Sequence, residues 1–392
     1  MKDVFILGAG FSRAATDGRM PVMSELMDKV KAEYKKKFPS ESNNDVDKYT
    51  DLEFMLSKLF IKQPFDTETS YYSNLAFYHK VSEILVEVLN EAEKPFLDRF
   101  ENFITQGNDW SESNLKGLSI LDRANEVSLG KFWSYQFCEL EPWISPIGSR
   151  LLSYLIKTIL TREEITLITF NYDTLIELEW SFQVIRLLND KNFKERDILA
   201  PDILRNLVNF KTFYGAQSLY PQKVPLSDYR FGQVTHSSHR GFDKFPQPTF
   251  QLLKLHGSLN LCWDKDLQSP VYFCDKSSRD LQTFIIPPVL DKTNELSHPY
   301  LKLNWRLAQE ALKEAARVFI VGYSLPLTDF STRSMLFNSQ FERDIPLEVY
   351  LVNNSKNVKD ATEKVFSQSN INDQFTGKDN AIDEFVQWYV KN

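Results

Sequence analysis

The stretch VFILGAGFSRAA, residues 4–15, sets the first limit on the fold: four unbroken apolar residues, then Gly8-Ala9-Gly10, then a helix-compatible run. A strand without polar alternation is covered on both faces, as strands of a parallel sheet are. Glycines after such a strand let the chain turn tightly and let a diphosphate approach the N–H groups that open the next helix. The third glycine of the G-x-G-x-x-G fingerprint is missing, because Arg13 stands in its place. No strand ending in an acid follows about 20 residues on, where a dehydrogenase would hold the adenosine ribose. Hydride transfer is therefore disfavoured.

The strand-to-turn pattern recurs four times. ITLITF leads into NYDTLIELEW, QLLKLHGSLN closes on a His-Gly turn, and VFIVGYSLP and EVYLVNNS supply two more. LNLCWD with PVYFCD predicts a hairpin, and TFIIPP a further short strand. Segment 304–316, with Trp305, Ala308, Leu312 and Ala315 on one face, predicts an amphipathic helix. Ser24 is the expected N-cap of ELMDKVKAEYKKK, which Pro39 closes. Strands alternating with helices predict an α/β fold, a Rossmann-like doubly wound parallel sheet with ligands beyond the carboxyl ends of its strands. The nucleotide-binding domain is expected to be discontinuous, from 1–38 and 160–358. Residues 39–159, apolar at three- and four-residue spacing, predict a helical insertion. Residues 205–250 predict an irregular aromatic-rich excursion, and 359–392 a helical tail.

Composition removes several function classes. With 42% hydrophobic and 25% charged residues the chain belongs with folded globular proteins. Its net charge of −7 gives no cationic surface for direct nucleic-acid binding. Three cysteines without a C-x-x-C pair argue against a disulfide scaffold and a four-cysteine zinc site, so no metal is expected. No apolar segment reaches membrane-spanning length, and Lys2 and Asp3 precede too short an apolar run for a secretory leader. The expectation is a cytoplasmic protein with no membrane partner.

The strand ends carry the candidate site: Gly8, Ala9, Gly10 and Ser12 after the first, Asn171 and Asp173 after the second, then His256, then Gly322 and Ser324, then Asn353. Singly, each has an ordinary structural role, as a tight turn, a helix cap or a packed turn histidine. Together they place small or polar residues along one edge of one sheet. This ordered set resembles the sirtuin family, whose NAD-binding domain carries G-A-G-x-S, Q-N-x-D, H-G, G-T-S and V-N in that order. The resemblance implies that Gly8, Ala9, Gly10 and Ser12 meet the pyrophosphate of NAD+. It implies that Asn171 orients the nicotinamide ribose or an attacking water, that Asp173 meets the carboxamide, and that His256 is a general base. Gly322 and Ser324 would meet phosphate or ribose, and Asn353 the adenosine ribose.

The departures from that family are equally informative. The paired cysteines of its zinc module are replaced by single Cys262 and Cys274, its Asp-Phe-Arg by DGRMPVMSE, and its Gln before the Asn by Phe170. Equipment for NAD+ remains while acyl-lysine peptide recognition is placed in doubt. FNYDTLIE, LKLHGSLN, IIPP and GYSLPLTD around a helical insertion are similar to the bacterial sirtuin-like NAD hydrolases of anti-phage defence. That similarity implies a gated NAD+ glycohydrolase, an abortive-infection effector. It would be a homo-oligomer, acting alone or beside a HerA-type DNA-translocating ATPase or an Argonaute. A protein deacylase or ADP-ribosyltransferase, and a non-catalytic NAD or ADP-ribose binding subunit, are the alternatives.

Overall fold

In a computed structural model of the chain, the described residues are 2–40, 46–106, 152–153, 155–156, 165–179, 250–264, 269–272, 282–289, 298–341, 343 and 345–391. Strand β1 (Asp3–Leu7) is buried at every position. It pairs in parallel with β2 (Ile165–Thr169) on one side and with β7 (Arg317–Val321) on the other. Beyond β2 lies β3 (Phe250–Lys254); beyond β7 lie β8 (Glu348–Asn353) and β9 (Asn370–Thr376). The six-stranded sheet is parallel throughout, in the order β3-β2-β1-β7-β8-β9. Strand order reverses direction between β1 and β7, the place where such sheets open a crevice for ligands.

Register decides what that crevice contains. Leu7 lies opposite Thr169 and Val321, Thr169 opposite Lys254, and Val321 opposite Val352. Five strands thus finish level, and the turns after them line up along one edge.

Alternate residues of the strands meet two different layers. Val4, Ile6, Ile168, Leu253, Val318, Ile320, Val349 and Leu351 pack with helices α5 (Pro299–Glu314), α6 (Phe330–Ser339) and α7 (Val358–Val365). On the opposite face Phe5 stacks on Phe319 at 4.9 Å and meets Tyr389 edge-on at 5.1 Å. Tyr389 belongs to α8 (Ala381–Lys391), and its hydroxyl donates to Asp3 Oδ2 at 2.8 Å. Arg317 grips the same carboxylate with two bonds, at 2.8 and 2.7 Å. This double cover is why β1 and β7 carry near-continuous apolar runs, VFIL and VFIV.

After β1 come α1 (Ala9–Ala15) and α2 (Met23–Lys37), followed by α3 (Leu52–Phe60) and the 39-residue α4 (Glu68–Gln106). Helices α2, α3 and α4 share a second core, which also takes in Tyr172 and Val289 from loops and Leu259 from strand β4 (Gly257–Asp264). Strands β4 (Gly257–Asp264), β5 (Ser269–Tyr272) and β6 (Gln282–Ile285) form a separate antiparallel sheet, containing the expected hairpin.

Four local expectations need correction. Helix α2 starts at Met23, so Ser24 lies inside it; Glu25 reaches back to the Val22 N–H at 3.3 Å and supplies the cap. The amphipathic helix begins at Pro299 rather than 304, because His298 caps it. The tail holds a strand as well as helices: β9 adds to the free edge of β8, and its sequence NINDQFT shows no apolar run because an edge strand stays partly exposed. Cys262 is buried and disulfide-bonded, where three cysteines without a C-x-x-C pair had argued against a disulfide scaffold. The excursion 205–249 and Cys138 and Cys274 lie outside the described residues. No helix among the described residues is long and apolar enough to cross a membrane.

Tyr389→Ala removes a fully buried ring and the hydroxyl that braces Asp3. The expected loss is about 3–5 kcal/mol of stability in urea unfolding. A loss of less than about 1 kcal/mol would mean that α8 does not hold this face of the sheet.

Candidate functional site

The turn after β1 is closed by backbone. Gly8 N–H donates to Val321 O and Gly10 N–H to Gly322 O, both at 3.0 Å, while Gly322 N–H donates to Val352 O at 2.9 Å. A Cβ on Gly322 would lie 2.2 Å from Phe11 N, and one on Gly10 would lie 2.8 Å from Gly322 O. Gly322 also has φ of 62°, a left-handed conformation that glycine adopts without cost. Gly8, Gly10 and Gly322 are therefore required by the approach of two backbones across the switch point. Arg13, where a dinucleotide turn has its third glycine, pairs with Glu25 and ties α1 to α2.

Beside this turn Asn171, Ser12 and Asp173 form a hydrogen-bonded chain. Asn171 Nδ2 donates to Gly8 O at 3.0 Å and to Ser12 Oγ at 2.8 Å. The Ser12 hydroxyl donates onward to Asp173 Oδ2 at 2.8 Å. Asp173 Oδ1 accepts from Leu175 N–H at 3.4 Å, so the carboxylate also caps the helical residues 175–179. Asn171 is anchored at its main chain too, its N–H donating to Thr169 Oγ1 at 3.1 Å. Both protons of its amide nitrogen are used, which turns Oδ1 into a fixed acceptor on a half-buried residue.

Beneath the chain lies a cluster of buried charges. Lys254 Nζ donates to Glu177 Oε1 at 2.9 Å and to the Asp173 carbonyl, with both ionic side chains almost wholly buried. Glu93, from α4, accepts from Thr174 twice: from its N–H, and from its hydroxyl at 2.7 Å. Burial pushes the Glu93 carboxyl up to about 7, and the nearby Asp173 charge adds to this; the Thr174 bonds and Lys254 oppose it. Burial likewise raises Asp173, against the pull of Lys254 and the Ser12 hydroxyl. Glu93, with its carboxyl raised to about 7, therefore gains and loses its proton near neutral pH.

His256 follows β3 and is buried, its ring centroid 5.1 Å from that of Phe170. Phe170 precedes Asn171 and stacks on Tyr323 at 4.8 Å, forming an aromatic wall between His256 and the turn after β7. Trp305 flanks the histidine with ring centroids 6.3 Å apart and donates its indole N–H to Leu255 O at 3.1 Å. Asn353 Nδ2 donates to Tyr323 O at 3.3 Å, and its Oδ1 accepts from Ser355 N–H at 3.0 Å.

The structure thus joins Gly8, Ser12, Asn171 and Asp173 by direct hydrogen bonds and brings Gly10 against Gly322. Ala9 is half-buried in the first turn of α1, Ser324 is exposed in the turn after β7, and Asn353 is linked to Tyr323. His256 is reached through ring contacts with Phe170. Lys254, Glu177 and Glu93 were missed by sequence reasoning. Lys254 was legible as a cation inside the apolar run QLLKLHG, and Glu177 as an acid inside TLIELEW. Glu93 was marked by its spacing alone, as an acid on the apolar stripe of its helix. Among the described residues no cluster of three or more His, Cys, Asp or Glu could hold a metal ion. No protein-family model matches the chain, and no curated protein matches it.

Glu93 sets a direction for stability against pH. Its carboxyl binds a proton more tightly folded than unfolded, where the ordinary value is 4.5. Its contribution is therefore complete below about pH 4.5 and is lost as pH rises to about 7, a change on the order of 3 kcal/mol. Urea unfolding between pH 5 and 8 should show wild type losing more stability than Glu93→Gln over that window. Parallel profiles for the two proteins would contradict this.

Proposed function

We propose that this protein binds NAD+ across the crevice between β1 and β7 and hydrolyses its nicotinamide–ribose bond to nicotinamide and ADP-ribose. The observation that carries the reading is Asn171: its amide nitrogen is pinned to Gly8 and Ser12, which fixes the orientation of Oδ1 beside a glycine-closed turn. The chemistry needs little more than such placement. Nicotinamide leaves as a neutral base from a pyridinium cation, so no general acid is required. What must be supplied is a held ribose, on which positive charge develops, and a water aimed at its anomeric carbon.

Asn171 Oδ1 can accept from a ribose hydroxyl or from that water without adding a charge. The water oxygen bonds to the anomeric carbon as the carbon–nitrogen bond breaks, its electron pair going to nicotinamide. The water's proton goes to a base, and an imidazole, such as that of His256, can take that role. The aromatic wall of Phe170, Tyr323 and Trp305 beside it supports a site able to shed water around a planar ring.

A hydrolase of free NAD+ would harm its own cell, so the activity is gated. The sirtuin-like order of strand ends and the helical insertion support an anti-phage effector acting as a homo-oligomer, alone or beside a HerA-type ATPase. A second reading is favoured by a different observation. Ser12 and Asp173 are buried and their hydrogen bonds are directed inward, which suits a subunit that binds NAD+ or ADP-ribose without turnover.

Incubating the purified protein with NAD+, with and without candidate partner proteins, and resolving the products by chromatography tests these readings. Nicotinamide and ADP-ribose are expected in equal amounts, with Asn171→Ala and His256→Ala each slowing release at least about 100-fold while the protein stays folded. Tight ADP-ribose binding without turnover would support the second reading. Release that requires an acylated peptide would mark a transferase, and neither binding nor turnover would sink the nucleotide reading altogether.

A further inference from the structure

We infer that Glu93, carried to the sheet edge by the helical insertion, is a positioning residue for the ligand-binding turn, fixing Thr174 and through it Asp173, Ser12 and Asn171. Glu93 occupies an unusual place on its helix. The buried stripe of α4 runs through Val81, Ile84, Leu85, Val88, Leu89 and Phe96, and Glu93 stands on it four residues after Leu89 and three before Phe96. That spacing calls for an apolar side chain. A carboxylate there is 2% exposed, and its burial is costly unless its hydrogen bonds are made.

Those bonds are made to Thr174, by both its N–H and its hydroxyl. Thr174 is covalently next to Asp173, which receives the Ser12 hydroxyl, which in turn receives the Asn171 amide. Five residues thus connect α4 to the turn that closes β1 on β7, and among the described residues of α4 Glu93 is the carboxylate that makes this link. Two further groups act on that carboxylate, Asp173 by repulsion and Lys254 by attraction. Glu177 lies on the Lys254 ammonium, and Glu179 receives the Ser153 hydroxyl. With the Glu93 carboxyl titrating close to neutral pH, the connection is also sensitive to protonation.

A simple buried cap for the helical residues 175–179 would use the same Thr174 bonds, but its loss would not reach Ser12. The bearing on NAD+ rests on the reading proposed above, whereas the link itself rests on the geometry. Hydrogen–deuterium exchange on the full-length protein without ligand separates the two, with wild type, Glu93→Ala and Glu93→Gln compared. Glu93→Ala is expected to raise exchange about tenfold in residues 8–16 and 169–177, while residues 348–353 and 385–391 stay within about twofold. Glu93→Gln, whose amide oxygen still accepts from Thr174, is expected to stay near wild type in all four segments. If Glu93→Ala does not fold, Glu93→Asp, which withdraws the carboxylate by one methylene, is expected to show the same local rise.

The inference is overturned if exchange at residues 8–16 is unchanged, if it rises equally in the distant segments, or if Glu93→Gln behaves like Glu93→Ala. ADP-ribose binding measured on the same samples keeps the two questions apart. Wild type that fails to bind would remove the NAD+ reading, and the exchange pattern would still decide the role of Glu93.

Discussion

The site depends on one close approach, the backbone of Gly8 and Gly10 against that of Gly322. β1 and β7 are the two strands from which the sheet is wound in opposite directions, and no side chain fits between the turns that leave them. Because five strands end level, this closure fixes a common edge, and every candidate residue sits within a few positions of it. The aromatic and ionic packing at the opposite end of β1, where Arg317 and Tyr389 hold Asp3, anchors the central strand from below. A turn that delivers functional groups accurately needs such a rigid strand beneath it.

Polar order at the edge is maintained at an energetic cost. Lys254, Glu177, Asp173 and Glu93 are all buried, and ionic groups in such a place often stabilise a fold less than apolar residues of similar volume. Their hydrogen bonds point at the backbone of residues 172–175 and at Ser12 rather than at solvent. That arrangement specifies one position for Asn171 more than it adds stability. The helical insertion takes part through Glu93 and through Glu53, which accepts from Thr328 in the loop after β7 at 3.0 Å. It therefore touches the edge from both sides of the switch point.

Much of the fold was legible because burial on both faces leaves a plain mark. VFIL, ITLIT and RVFIV carry no alternation, and each announces a central parallel strand. NINDQFT carried no such mark, since an edge strand is stabilised by backbone pairing to β8 more than by its own apolar residues. The site was legible as an ordered set of strand ends, but the partners of each side chain were not. That the Ser12 hydroxyl faces Asp173 rather than open crevice depends on a contact across 161 positions of sequence. Glu93 sits among Glu83, Glu87 and Glu91 on α4, and although its spacing puts it on the apolar stripe, its partner Thr174 shows only in the packing. Arg13 denied the chain the third glycine of a dinucleotide fingerprint, and its ion pair with Glu25 ties α1 to α2.

The glycine-closed switch point, with Asn171 beside it, is the proposed seat for a dinucleotide. A crystal structure of the protein with ADP-ribose tests it most directly. The account places the diphosphate over residues 8–10 in the crevice between β1 and β7, with the distal ribose within hydrogen-bond reach of Asn171 Oδ1. Density for the ligand elsewhere on the protein, or an empty crevice at saturating ADP-ribose, would contradict it.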